Sequence, residues 1–244
     1  MSNLKPKIDA KQFSIDKNIM SSSKISSRSE QKIIPQVQIE IEFNSFEKID
    51  LDNTFHLQEL EKVCPVWLIQ QSHPEDRDLF MSLSRFDHRN KTFVVGCMRN
   101  DGLIISFKRR KLSCMYGKWI TRKGTHPNSI LFMRIFTDNK PIYIVEGHRD
   151  SLTATLLGLD YIMLPSAGYK YRDKSLLLVN EKRKIIALAE DKPAFDAMCL
   201  LMEKFGTGNT LILESLGTKE KKVDLSDYVQ GFKSIEEVCN ELPH

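Results

Sequence analysis

The chain has 244 residues, of which 41% are hydrophobic and 28% charged, enough for one large or two small packed units and too few for a large multidomain machine. No run approaches the ~20 apolar residues of a membrane-spanning helix, and the start MSNLKPKIDAKQ lacks the apolar core of a secretory signal, so a cytoplasmic protein with no membrane partner is expected. Five cysteines, odd in number and never spaced C-x-x-C, argue for reduced, mostly buried thiols and against a disulfide framework or zinc ribbon.

The net charge of +4 is unevenly distributed. From Pro141 to His244 acids outnumber bases by 16 to 13, which leaves the first 140 residues with an excess of seven positive charges. Most of that excess lies between Arg85 and Gly124, where 11 basic residues face only Asp87 and Asp101. This segment is the expected polyanion contact.

Residues 1–38 carry eight serines, many lysines and apolar residues without period, and are expected to form a disordered tail because they cannot bury enough surface to offset chain entropy. LQELEKVCPVWLIQQ reads as helix interrupted at Pro65, which lacks an amide donor. KTFVVGCM and LIISFKRR flank the turn Arg99-Asn100-Asp101-Gly102 and predict a β-hairpin, followed by a strand over Gly117–Thr121. Residues 39–138 thus read as a small basic β-rich (α+β) unit. Beyond it, apolar runs at 142–145, 161–164, 176–179, 185–189 and 210–213 alternate with helical stretches at 150–157 and 194–205 and a short helix from Ser234. That rhythm predicts an α/β domain over 139–244, with a mainly parallel sheet, helices on both faces and ligands at the carboxyl ends of the strands.

Those strand ends are acidic. IYIV stops at Glu146-Gly147, with Asp150 four residues on; IIALA stops at Glu190-Asp191; Asp224 and Asp227 follow the last strand by a loop. If the strands lie side by side, three carboxylate clusters converge at one edge, where they suit Mg²⁺ or Mn²⁺ and phosphate chemistry.

The stretches IYIVEGHRDSLTATLLG, PSAG at 165–168, IIALAEDKPAFDAM and KKVDLSDYV resemble the Toprim domain of bacterial (DnaG-like), phage and mobile-element primases. Glu146 and Asp150 match that family's first acidic motif. Its second, Asp-x-Asp followed by Ala-Gly, is replaced by Glu190-Asp191-Lys192-Pro193-Ala194-Phe195, which brings a lysine into the expected metal site. Asp224 and Asp227 correspond to its late Lys-x-Asp-x-x-Asp-Tyr-type element. The resemblance implies a Rossmann-like fold and a Mg²⁺- or Mn²⁺-dependent nucleotidyltransferase that makes primers on single-stranded DNA from nucleoside triphosphates. Glu146 is then the catalytic residue and Glu146, Asp150, Glu190, Asp191, Asp224 and Asp227 the metal ligands. In the preceding basic subdomain, Lys108, Arg109, Arg110, Lys118, Arg122 and Lys123 are the expected nucleic-acid contacts. With neither a Cys/His zinc module nor a G-x-x-x-x-G-K-[ST] loop in the chain, a separate replicative helicase is the expected partner.

Ordinary roles compete with each assignment. Glu190-Asp191 also suits the start of a helix, Asp224 and Asp227 the cap of a helix over Leu225–Gln230, Lys108–Lys111 a solvated strand end, His148 a surface position and Trp119 a small core. A catalytically degenerate Toprim binding module and a Toprim nuclease are therefore the alternative functions.

Overall fold

The computed structural model describes residues 34–98, 103–111, 119–123, 132–134, 140–164, 185–188, 211–214 and 223–242. In the first part, β1 (Glu47–Lys48), β2 (Ser84–Asp87), β3 (Thr92–Met98), β4 (Ile104–Lys111) and β5 (Ile120–Thr121) form an antiparallel sheet in chain order. The expected hairpin is β3–β4, in which Val95 faces Lys108 and Thr92 faces Lys111. Thr92–Gly96 are all buried, as in a strand covered on both sides.

Four helices accompany this sheet, as an α+β unit requires. The first, α1 (Gln36–Asn44), begins inside the stretch expected to be a tail and buries Ile39 and Phe43, one helical turn apart, against β4. Gly96 makes room for it: a Cβ there would stand 2.9 Å from Ile104 Cδ1 and 3.0 Å from Phe43 Cζ. Pro65 divides the next stretch as expected, separating α2 (Thr54–Leu60), capped by the Asn53 side chain, from α3 (Val66–Gln71). The last, α4 (Pro74–Leu83), starts with proline at its first turn and with Glu75 and Asp76 toward the positive end of its dipole. Arg85 closes it by donating to the carbonyls of Met81, Ser82 and Ser84.

The second sheet has the order β10-β9-β7-β8-β6, with β6 (Phe132–Arg134) antiparallel and β7 (Ile142–Glu146), β8 (Asp160–Leu164), β9 (Ile185–Leu188) and β10 (Leu211–Glu214) parallel. The helix α5 (Gly147–Leu156) makes the crossover from β7 to β8. It packs on β8 and on α4, and one continuous apolar core, from Ile39 to Leu242, serves both sheets. Tyr161, fully buried on β8, satisfies its hydroxyl with Thr155 Oγ1 of α5 at 2.7 Å. The chain ends with α6 (Leu225–Tyr228), a 3₁₀ turn to Gly231, and α7 (Ile235–Glu241), capped by Ser234. The mainly parallel α/β sheet and the α+β unit before it follow the expected fold class. The strand expected at 176–179 and the helix at 194–205 lie outside the described residues.

Candidate active site at the acidic sheet edge

Parallel strands end at one edge, and β7 lies between β8 and β9. Its last residue is Glu146, half-buried and opposite Leu164 of β8. Gly147, at φ 80°, then turns the chain directly into α5. Glu146 occupies the N-cap position of α5 without capping it through its side chain. Asp150 follows four residues later, in the first turn of α5.

Asp150 is buried, and its Oδ1 accepts the backbone N–H of Ser226 at 3.0 Å. Ser226 lies in the first turn of α6, whose N-cap is Asp224. Asp224 Oδ1 in turn accepts from the Asp227 N–H at 2.7 Å and from the Ser226 hydroxyl at 2.8 Å. Two of the three acidic clusters thus meet at the N-terminus of one short helix, and the capping role open for Asp224 is realised. Burial pushes the Asp150 carboxyl well above the usual carboxylate range; the neighbouring Asp224 charge adds to this, while bonds from Ser226 and Leu225 act against it. Carboxylates crowded in this way are a donor set suited to a hard divalent cation, which would relieve their repulsion.

Asp227 is partly neutralised: Arg149, the residue before Asp150, donates to it at 2.8 Å and also donates through Nε to the Val63 carbonyl at 3.1 Å. Glu190 and Asp191 lie outside the described residues, as does Lys118. The chain leaves β9 at Leu188, at the edge where β7 ends.

The basic sheet faces this edge through Arg110, whose guanidinium feels Arg149, Asp224 and Asp227 and stands 5.9 Å from the centre of the Trp119 ring. The other expected nucleic-acid contacts are more committed. Lys108 is buried, and burial lowers its pKa. Arg109 meets Glu42 at 3.5 Å and Asp87 at 3.7 Å while lying over Phe46 and Phe107. Arg122 meets Glu42 at 2.8 Å, whereas Lys123 is exposed. Glu42 folds back from outside the basic segment, so counting charge along the sequence overstates what is free to meet a polyanion.

His148, expected at the surface, is 3% exposed. Its Nε2 stands 3.2 Å from Cys97 Sγ of β3, and Trp119 tilts against its ring. The reason is the tight turn at Gly147, which points the next residue inward to the seam between the two sheets. Sequence reasoning missed Arg149 and Ser226; the first carried a signal in lying beside Asp150, the second none.

The fold is of the primase catalytic-core type. It resembles the primase fragment of the bacteriophage T7 primase-helicase protein, with a TM-score of 0.56 and 14% identity over 91% of this chain and 82% of that one. It also resembles the DnaG primase catalytic domain bound to ssDNA (TM-score 0.54, 15% identity, 84% and 79% covered) and the DnaG catalytic core (0.54, 16%, 81% and 76%). The sequence matches no protein-family model and no curated protein.

Proposed function

We propose that this protein is a Toprim-type primase, a nucleotidyltransferase that builds short primers on single-stranded DNA from nucleoside triphosphates in the replication of a phage, plasmid or integrated element. The observation that carries the reading is the meeting of Asp150 and Asp224 at Ser226, whose amide bonds the first and whose hydroxyl bonds the second, one helical turn from Glu146, in a fold shared with primase cores. In this reading Glu146, Asp150 and Asp224 hold Mg²⁺ or Mn²⁺, with Glu190, Asp191 and Asp227 completing the acidic edge. The ion supplies charge stabilisation at the transferring phosphoryl group. Glu146 is the catalytic base that holds the proton of the attacking hydroxyl. Arg110, with Lys118 and Lys123, attracts the template and the triphosphate to the seam beside the acids. A separate helicase supplies unwound template.

A second reading has one specific observation behind it. Asp150 is already engaged by the Ser226 amide and Asp227 by Arg149, and Lys192 stands in the second acidic motif; an edge so occupied suits a non-catalytic binding module. Incubating labelled single-stranded DNA with Mg²⁺, with and without nucleoside triphosphates, separates the readings. Extension dependent on triphosphates supports the primase, cutting without them a nuclease, and retention of DNA without either product the binding module.

A further inference from the structure

At the β1 edge of the basic sheet, three side chains from separate elements converge: Glu47 of β1, His56 of α2 and His88 of the turn after β2. Their ligand atoms all lie within 4.8 Å of one another. His56 is fully buried, and its Nε2 has no hydrogen-bond partner of good geometry among the described residues. Glu47 Oε1 stands 3.4 Å from that nitrogen, while Glu47 Oε2 takes His88 Nε2 at 2.5 Å. A buried imidazole nitrogen aimed at a carboxylate it does not properly reach is an arrangement that a cation between them would complete.

We infer that Glu47, His56 and His88 form a binding site for a transition-metal cation of the Zn²⁺ class, distinct from the acidic edge. Two imidazoles and one carboxylate are the ligand types that zinc takes, and they differ from the all-oxygen set suited to Mg²⁺. Four-coordinate zinc, with bonds of ~2.0–2.2 Å, holds its ligand atoms ~3.3–3.6 Å apart. Both exposed partners, Glu47 and His88, have the freedom to adjust to that spacing around the fixed His56. His88 also lines an open hollow of about 360 Å³ with Phe55, Phe86 and Lys91, through which a fourth ligand, water or a small anion, enters.

His56 imposes a condition on loading. Its Nδ1 accepts the Asp50 N–H at 2.9 Å, so the neutral ring carries its proton on Nε2. Binding through Nε2 moves that proton to Nδ1 and frees the Asp50 amide, which lies in an exposed turn and can bond to water. Loading therefore disturbs the 49–53 turn. It also fastens β1, only two residues long, to α2 and to the end of β2.

The test uses the full chain stripped with chelator and titrated with Zn²⁺ by calorimetry, with thermal unfolding and Co²⁺ spectra alongside. The expected result is one site per chain, unfolding displaced upward by several degrees at saturation, and a Co²⁺ spectrum without a sulfur charge-transfer band. Glu47→Gln and His88→Ala, both at exposed side chains, should each weaken binding by roughly 10-fold or more, whereas Glu146→Gln should leave it unchanged. Absence of Zn²⁺ heat, binding equally tight in both ligand variants, or a thiolate band would each overturn the assignment.

Discussion

The Asp150 carboxylate, on the helix after the central strand, accepts the backbone N–H of Ser226, 76 residues further along the chain. That bond brings the acids of two distant segments into one site. It also leaves a carboxyl in a buried place where burial and Asp224 push its pKa up. A raised carboxyl binds its proton more tightly in the folded than in the unfolded chain. Its contribution is therefore fully present below the unfolded value of ~4 and is lost as pH rises through the raised folded value. Urea unfolding of Asp150→Asn should show that part of the pH dependence flattened, because the amide oxygen still accepts from Ser226 and carries no charge. Asp150→Ala should lose a further ~1–3 kcal/mol relative to Asp150→Asn, since it leaves the Ser226 N–H unpaired.

Buried His148 gives the opposite slope. Burial, and then Lys108, hold its pKa well below 6.5, so the folded chain takes up fewer protons there than the unfolded one. Stability from this group is present above about 6.5 and declines as pH falls below it toward the depressed folded value. His148→Gln should remove that decline in urea titrations at pH 5 to 7, whatever its effect on the baseline.

Arg110 and Lys108 are two positions apart on β4 and differ in what they can do. Arg110 stands beside the acidic edge, whereas Lys108 is buried next to Cys97. Arg110→Gln should weaken single-stranded DNA binding and reduce the salt slope of log K by about one. Lys108→Gln should leave the slope unchanged. Fluorescence anisotropy across a salt series reads both.

Gly96 is a packing position: a methyl there meets Ile104 and the Phe43 ring at about 3 Å. Gly96→Ala should destabilise by about 1–3 kcal/mol, and adding Phe43→Leu should recover part of the loss. Denaturant midpoints of the single and double variants test the coupling.

What the sequence revealed follows from where one physical rule acted alone. The hairpin of β3 and β4 and the parallel strands at Ile142–Glu146 and Asp160–Leu164 combine β-branched runs with clear turn residues, and all stand where expected. Pro65 broke the helix for the same local reason. The helix α1 was hidden because its apolar residues alternate: Val37, Ile39, Ile41 and Phe43 have the period of a strand. Only tertiary packing of Ile39 and Phe43 makes a helix of them, leaving Val37 and Ile41 exposed at 66% and 65%. At the candidate site, Glu146, Asp150, Asp224 and Asp227 could be singled out as acids, but not their bonds. The cap at Asp224 was legible, but that Asp150 takes the Ser226 amide, that Arg149 holds Asp227 and that Glu42 takes up Arg122 depend on contacts across 76 to 80 residues, which no local pattern encodes.

The most direct measurement compares the wild-type chain with Glu146→Gln in Mg²⁺-dependent primer synthesis on single-stranded DNA. Thermal unfolding and DNA binding are followed on the same preparations. The wild type should incorporate nucleotides, and the variant should lose about two orders of magnitude or more with unchanged unfolding and DNA affinity. Equal incorporation by the two proteins would contradict it.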